Sequence, residues 1–146
     1  MIQLERASVD DAPFFAALEQ APDTAEFILP YSRSEHVQKM LDPHLMYLRI
    51  LQDGELAGFF ILALDPDAHS VEFRRIVVAI KARGIGQVAI AAMERFCRDE
   101  WQRTRIWLDV FEHNSRGQHI YEKLGYKRYG ARDHEGRRLL LYEKEL

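Results

Sequence analysis

Apolar residues along this chain alternate with polar ones in some blocks and recur every three to four positions in others, and the changes of period mark its elements. Ile2 to Arg6 predicts a first strand, and Ser8, followed by the acids Asp10 and Asp11, predicts the cap of a helix from Val9 to Glu19. Ala21 to Arg33 holds Pro22, Pro30, Phe27 and Tyr31 without a period, so it predicts irregular or partly helical chain. Ser34 predicts the cap of a second helix ending near Leu41, ahead of Pro43. Met46 to Gln52 and Leu56 to Ala63 flank Asp53-Gly54-Glu55 and predict a hairpin. Val71 to Val78 predicts a fourth strand, with Val71, Phe73, Arg75 and Val77 on one face and Glu72, Arg74, Ile76 and Val78 on the other.

The period then lengthens. Ile85, Ala89, Ala92, Met93, Phe96 and Cys97 make one stripe of a helix from Ile85 to about Glu100. Arg105 to Phe111 alternates again as a strand, and Asn114 or Ser115 starts a short helix closed by Gly125. Tyr126 to about Ala131 and Arg137 to Lys144 close the chain as two strands joined by the polar turn Asp133 to Gly136. The predicted order is β-α-α-β-β-β-α-β-α-β-β, an α/β (α+β) arrangement with hairpins before a single crossover.

At 146 residues and 47% hydrophobic content the chain fits one domain, residues 1–146. A formal charge of −3 gives no general pull toward nucleic acid, and no apolar run reaches membrane-spanning length. The single cysteine, Cys97, excludes an internal disulfide, the six histidines are scattered, and no Cys/His cluster predicts a metal. Met1-Ile2-Gln3-Leu4-Glu5-Arg6 lacks a signal-peptide core, so the expected compartment is the cytoplasm, with Cys97 in the core. Exposed strands near the C-terminus make a homodimer an expectation.

Between the run Ile76-Val77-Val78 and the long helix lies Lys81-Ala82-Arg83-Gly84-Ile85-Gly86-Gln87. A glycine-containing strand-to-helix turn beside two basic residues can cradle a pyrophosphate on unpaired amides. Its plainer reading is a tight strand–helix connection. A rival reading is a dinucleotide fingerprint, Gly84-x-Gly86-x-x-Ala89, with Asp109 as the ribose acid. Against that rival stand the preceding antiparallel hairpin, the charged Lys81 and Arg83, and the short chain. No Gly-Lys-Ser/Thr follows, which excludes a P-loop.

With Asn114, Tyr121, Gly125 and Tyr126 spaced as Asn-x(6)-Tyr-x(3)-Gly-Tyr after that turn, the stretch Glu72 to Tyr126 resembles the GNAT superfamily of acyl-CoA-dependent N-acetyltransferases. Lys81 stands where the family prefers Gln or Arg, and Gly117 where it prefers Ala. The resemblance implies a mixed, mostly antiparallel twisted sheet, splayed between its fourth and fifth strands. It implies acetyl-CoA as co-substrate, with pantetheine along Ile76, Val77 and Val78 and pyrophosphate on the amides of Ala82, Arg83, Gly84, Ile85, Gly86 and Gln87, beside the charge of Lys81. An amide near Val77 or Val78 would hold the thioester carbonyl. Asn114 would contact the pantetheine arm or the incoming amine, a role compatible with capping its helix. The acceptor would be a primary amine on a small molecule or peptide, attacking directly in a ternary complex. A non-catalytic acyl-CoA sensor on the same fold is the alternative.

The resemblance also implies that Tyr121 protonates the departing thiolate, since a phenol near pKa 10 still holds its proton where a thiol near about 8.5 begins to lose its own. Glu72 is the candidate base, with an ion pair to Arg74 or Arg75 as its plainer role. Asp109 is the other carboxylate near the opening, or a solvent path serves instead. Arg74 and Arg75 read as cleft residues favouring an acidic acceptor or as a paired strand edge. His113 and His119 read as relays or surface residues. Phe27, Tyr31 and His36 lie in the segment that roofs the acceptor site in similar proteins, or tie that segment to the core.

Overall fold

The computed structural model describes residues 1–21, 29–79, 82 and 84–146, so the expectations for Phe27, Lys81 and Arg83 lie outside the described residues. The chain forms β1 (Ile2–Arg6), a helical turn (Val9–Asp11), α1 (Ala12–Glu19), α2 (Arg33–Met40), β2 (Leu45–Gln52), β3 (Glu55–Leu64), β4 (Ser70–Val78), α3 (Gly86–Asp99), β5 (Arg105–Phe111), α4 (Ser115–Lys123), β6 (Lys127–His134) and β7 (Arg137–Glu145). This is the order the hydrophobic periods predict.

Local chemistry sets the boundaries. At the first helix the Ser8 N–H donates to Asp11 at 3.0 Å, and Pro13 occupies the first turn of α1. The second helix is capped by Ser32, two residues before the expected Ser34. Ser32 Oγ accepts from the Glu35 N–H at 3.2 Å while Glu35 returns a carboxylate to the Ser32 N–H at 2.9 Å. The β2–β3 and β6–β7 hairpins turn through two left-handed residues, Asp53 with Gly54 and Glu135 with Gly136, which matches the twist of the flanking strands.

One seven-stranded sheet has the order β1-β2-β3-β4-β5-β7-β6. Every neighbouring pair is antiparallel except β4 with β5. A single parallel pair inside an antiparallel sheet is not a doubly wound dinucleotide fold, so the Gly84-x-Gly86 fingerprint reading fails on topology. One face packs Leu48, Phe60, Leu62, Phe73, Ile106 and Leu108 against Ala89, Ile90, Met93 and Cys97 of α3. The other face packs Tyr47, Phe59, Ile61 and Val77 against Phe15 of α1. Among the described residues no helix is long and apolar enough to cross a membrane.

β4 carries a bulge that overturns its expected faces. Ile61 stands opposite Arg75 and Leu62 opposite Phe73, so Arg74 is the extra residue. Val71 and Phe73 face α3 before it, and Ile76 and Val78 pack on that same side after it. Arg75 and Val77 turn instead toward α1. Glu72 therefore does not share a face with Ile76 and Val78: the inserted residue shifts the alternation by one. Across from this stretch, β3 presses close at Gly58, where a Cβ would overlap the Val77 carbonyl oxygen.

Candidate active site

β4 and β5 pair only at Ser70–Arg105, Val71–Ile106 and Glu72–Trp107. From Phe73 onward the β5 side of β4 has no strand partner among the described residues, leaving backbone groups able to pair with an extended ligand. The gap opens a cleft of about 540 Å³ whose lining includes Tyr31, Arg74, Ile76, Asp109, Asn114 and Tyr121. Nucleotide-sized ligands take clefts of this order.

Tyr121 enters the gap from α4, its ring edge-on to Phe73 and Tyr126 with centroids 5.9 Å away in each case. Those contacts fix the ring, and its hydroxyl makes no hydrogen bond to another described residue. Burial, with the charge of Asp109 adding to it, pushes the phenol up to about 12. The raised value means that the phenol keeps its proton throughout the neutral range.

Asn114 caps α4, its Oδ1 accepting from the Gly117 N–H at 2.9 Å. The glycine is required by that cap: a Cβ on Gly117 would stand 2.7 Å from the Asn114 Nδ2 and 3.0 Å from its Cγ. At the other mouth α3 begins at Gly86 with no side-chain cap. Two amides of the expected cradle are already engaged, Ala82 N–H with the Ala79 carbonyl at 2.8 Å and Ile85 N–H with the Ala82 carbonyl at 3.3 Å. The amides of Gly84, Gly86 and Gln87 have no backbone partner among the described residues. Gly84 has φ +96°, which accounts for its glycine. Gly86 lies outside that region, and a Cβ there would meet nothing within 4 Å, so tight packing does not explain it.

The two carboxylates weighed as bases sit differently. Glu72 lies at the paired end of the strands, outside the cleft lining, and accepts from Arg74 Nε at 2.9 Å. Asp109 lines the cleft and accepts from Arg132 Nη2. His113 and His119 are exposed, His113 stacking on Phe111 at 5.3 Å. Cys97 is a core residue, as expected, its thiol pushed up to about 12 by burial.

Beneath the cleft lies a buried polar network whose members are distant in sequence. Glu19 and His36 are both fully buried. Glu19 accepts from His36 Nε2 at 2.7 Å, from the Tyr31 N–H at 2.9 Å and from Arg75 Nη1 at 2.6 Å. His36 Nδ1 meets the Tyr47 hydroxyl at 2.8 Å, and burial pushes that phenol up. Burial works to raise the Glu19 carboxyl, but the bonds from His36, Tyr31 and Arg75 together outweigh it and hold it below the usual carboxylate range. Tyr31 covers Arg75 in turn, its ring centroid 4.1 Å from the guanidinium. His36 thus ties the roof to the core, whereas Tyr31 reaches the cleft itself.

Known proteins match both the sequence and the shape. An uncharacterized N-acetyltransferase of Mycobacterium tuberculosis (strain ATCC 25618 / H37Rv) is 29% identical over 103 residues, covering 69% of this chain and 65% of that relative. A putative [ribosomal protein bS18]-alanine N-acetyltransferase of Bacillus subtilis (strain 168) is 24% identical over 111 residues, covering 75% of the chain and 73% of the relative. Aminoglycoside acetyltransferase AAC(6')-Ib, solved with coenzyme A and kanamycin, superposes with a TM-score of 0.85 at 13% identity, over 99% of this chain and 95% of that one. Spermidine N-acetyltransferase from Vibrio cholerae, solved with CoA and spermine, gives 0.82 at 17% identity over the same shares. The model of the acetyltransferase (GNAT) family matches residues 9 to 126, a span that takes in both parted strands and the helices on either side of them, and the chain belongs to that family.

Proposed function

We propose that this chain transfers an acetyl group from acetyl-CoA to a primary amine by direct attack in a ternary complex. The observation that carries this is the Tyr121 phenol standing between two strands that part after three residue pairs. The fit to the co-substrate rests on the unpartnered β4 edge, Ile76 to Val78, and on the uncapped start of α3, where Gly84, Gly86 and Gln87 would hold the pyrophosphate. Asn114 would border the pantetheine arm. When bound, acetyl-CoA supplies the thioester carbon that the amine attacks and the sulfur that leaves.

In this proposal Asp109, rather than the more distant Glu72, takes one proton from the acceptor ammonium, directly or through water, and so exposes the nitrogen lone pair. Tyr121 gives its proton to the departing sulfur as the carbon–sulfur bond breaks and the carbon–nitrogen bond forms. The second amine proton returns to the tyrosinate, so one proton in all is released to solvent. Parallel assays test the scheme. Acetyl-CoA should raise the melting temperature where NAD does not, and an acceptor panel should release thiol only when an amine is present. A melting response to NAD instead, or thiol release independent of any amine, would refute it. Asp109→Asn should change the pH profile of turnover more than Glu72→Gln does.

A further inference from the structure

The charges around the cleft narrow the acceptor, and this inference rests on the acetyltransferase scheme above. On β5, Ile106, Leu108 and Val110 are buried toward α3, so Asp109 faces the opposite side, the side of α1 and α2. Arg132 is bonded to Asp109 there, and Arg74, bonded to Glu72, lies on the same side of the gap. The uncapped turn of α3 and the α4 helix carrying Tyr121 are on the other side. The cleft therefore has one side toward the start of α3 and an opposite side where Arg74, Arg132 and Asp109 line it.

Among the described residues lining the cleft, Asp109 is the single carboxylate, and Arg132 already holds one of its oxygens. Arg75 is not a free cation, since Glu19 and the Tyr31 ring enclose it. Arg74 and Arg132 differ. Their side chains are 45% and 51% exposed, and each has one nitrogen engaged by a carboxylate, which leaves the rest of its fork open. A polycation entering here would find one shared carboxylate and two guanidiniums. A zwitterion meets a complement instead: its ammonium on the second Asp109 oxygen and its carboxylate on the open side of Arg132, with Arg74 beyond. Because Arg132 touches Asp109, the two charges of the acceptor must be close together.

We infer that the acceptor is a free α-amino acid, or an equally compact amino acid, held through its own carboxylate by Arg132 and Arg74.

Thiol release from acetyl-CoA tests this with each amino acid set against its carboxamide, against a dipeptide with the same N-terminal residue, and against spermidine and kanamycin. The expected result is kcat/KM at least about 10-fold higher for the free acid than for its amide, in line with loss of a charge-assisted hydrogen bond at half-exposed guanidiniums. Arg132→Gln with Arg74→Gln should collapse that ratio toward one, chiefly by raising KM for the acid. Preference for spermidine, kanamycin, the amide or the dipeptide would overturn the inference, as would failure to acetylate any free amino acid by a protein whose melting temperature acetyl-CoA raises. In those cases the acetyltransferase scheme survives wherever another amine of the panel releases thiol. Absence of any melting response to acetyl-CoA would bring down both together.

Discussion

Gly86→Ala should improve the protein and impair its binding of co-substrate at once. Gly86 opens α3, has no left-handed φ to accommodate, and has open space where a Cβ would go. A glycine replaced under those conditions stabilises a fold by about 0.4–1 kcal/mol, chiefly by restricting the unfolded chain. For a protein of this size that is a rise in melting temperature of about 1–4 °C. The new methyl would stand beside amides assigned above to the pyrophosphate. Loss of one hydrogen bond to a charged group costs about 1.5–3 kcal/mol, which is roughly 10- to 150-fold in affinity. At about 100 times the wild-type dissociation constant, acetyl-CoA should add about 2.7 kcal/mol of stability to the wild type, and the variant should forgo at least half of that. Thermal melts with and without acetyl-CoA, supported by isothermal titration, would then cross: the variant melts higher alone and no higher when ligand is present. An undiminished ligand shift would refute the placement of the anion at Gly86. A variant that melts lower alone would show that the glycine serves the fold itself.

Glu19→Ala leaves Arg75, His36 and the Tyr31 N–H without their acceptor, so it should cost about 3–5 kcal/mol and lower the melting temperature by about 10 °C or more. Because the folded carboxyl is held below its unfolded value, its contribution is complete above the unfolded pKa and lost as pH falls through the lower folded one; the variant's acid-melting curve should therefore be flatter than the wild type's. Tyr121→Phe should lower kcat by about 10²-fold or more with little change in acetyl-CoA affinity, and an unchanged kcat would remove the acid role. With the phenol pushed up to about 12, the wild-type rate should show no phenol ionisation below pH 10. The phenol's contribution to stability should hold below its ordinary value of 10.0 and fade as pH rises through the raised one, as alkaline melts would record. Gly117→Ala gains helix propensity of about 1 kcal/mol but displaces a cap worth a similar amount, so its melting temperature should stay within a few degrees while the Asn114 side chain shifts, visible by NMR.

The order of elements was legible because the periods of two and of 3.6 change cleanly, for instance between Val78 and the stripe of α3. The tight turns were legible from Asp53-Gly54 and Glu135-Gly136. The β4 bulge escaped strict alternation, although its trace is present: apolar residues at Val71 and Phe73 resume at Ile76 and Val78, one position out of phase. That slip moved Glu72 away from the residues it was expected to accompany. The motif around Asn114 and Tyr121 identified residues that do border the cleft, because the helix and its cap are local. The Glu19–His36–Arg75 network was hidden because its members come from three separate elements and meet only once the sheet and helices pack. Glycine at position 117 was puzzling as a sequence and is plain as a contact with Asn114.

Gly58 has a wider meaning for how such a protein can change. It is pinched against the carbonyl of Val77 directly behind the frayed margin of β4, so any side chain there must shove that ribbon sideways. On its other side, among the described residues, that ribbon borders the gap rather than a paired strand. A lone alanine at this spot could leave the outline intact and still shut the slot from behind, silencing the chain without touching any residue that meets a substrate.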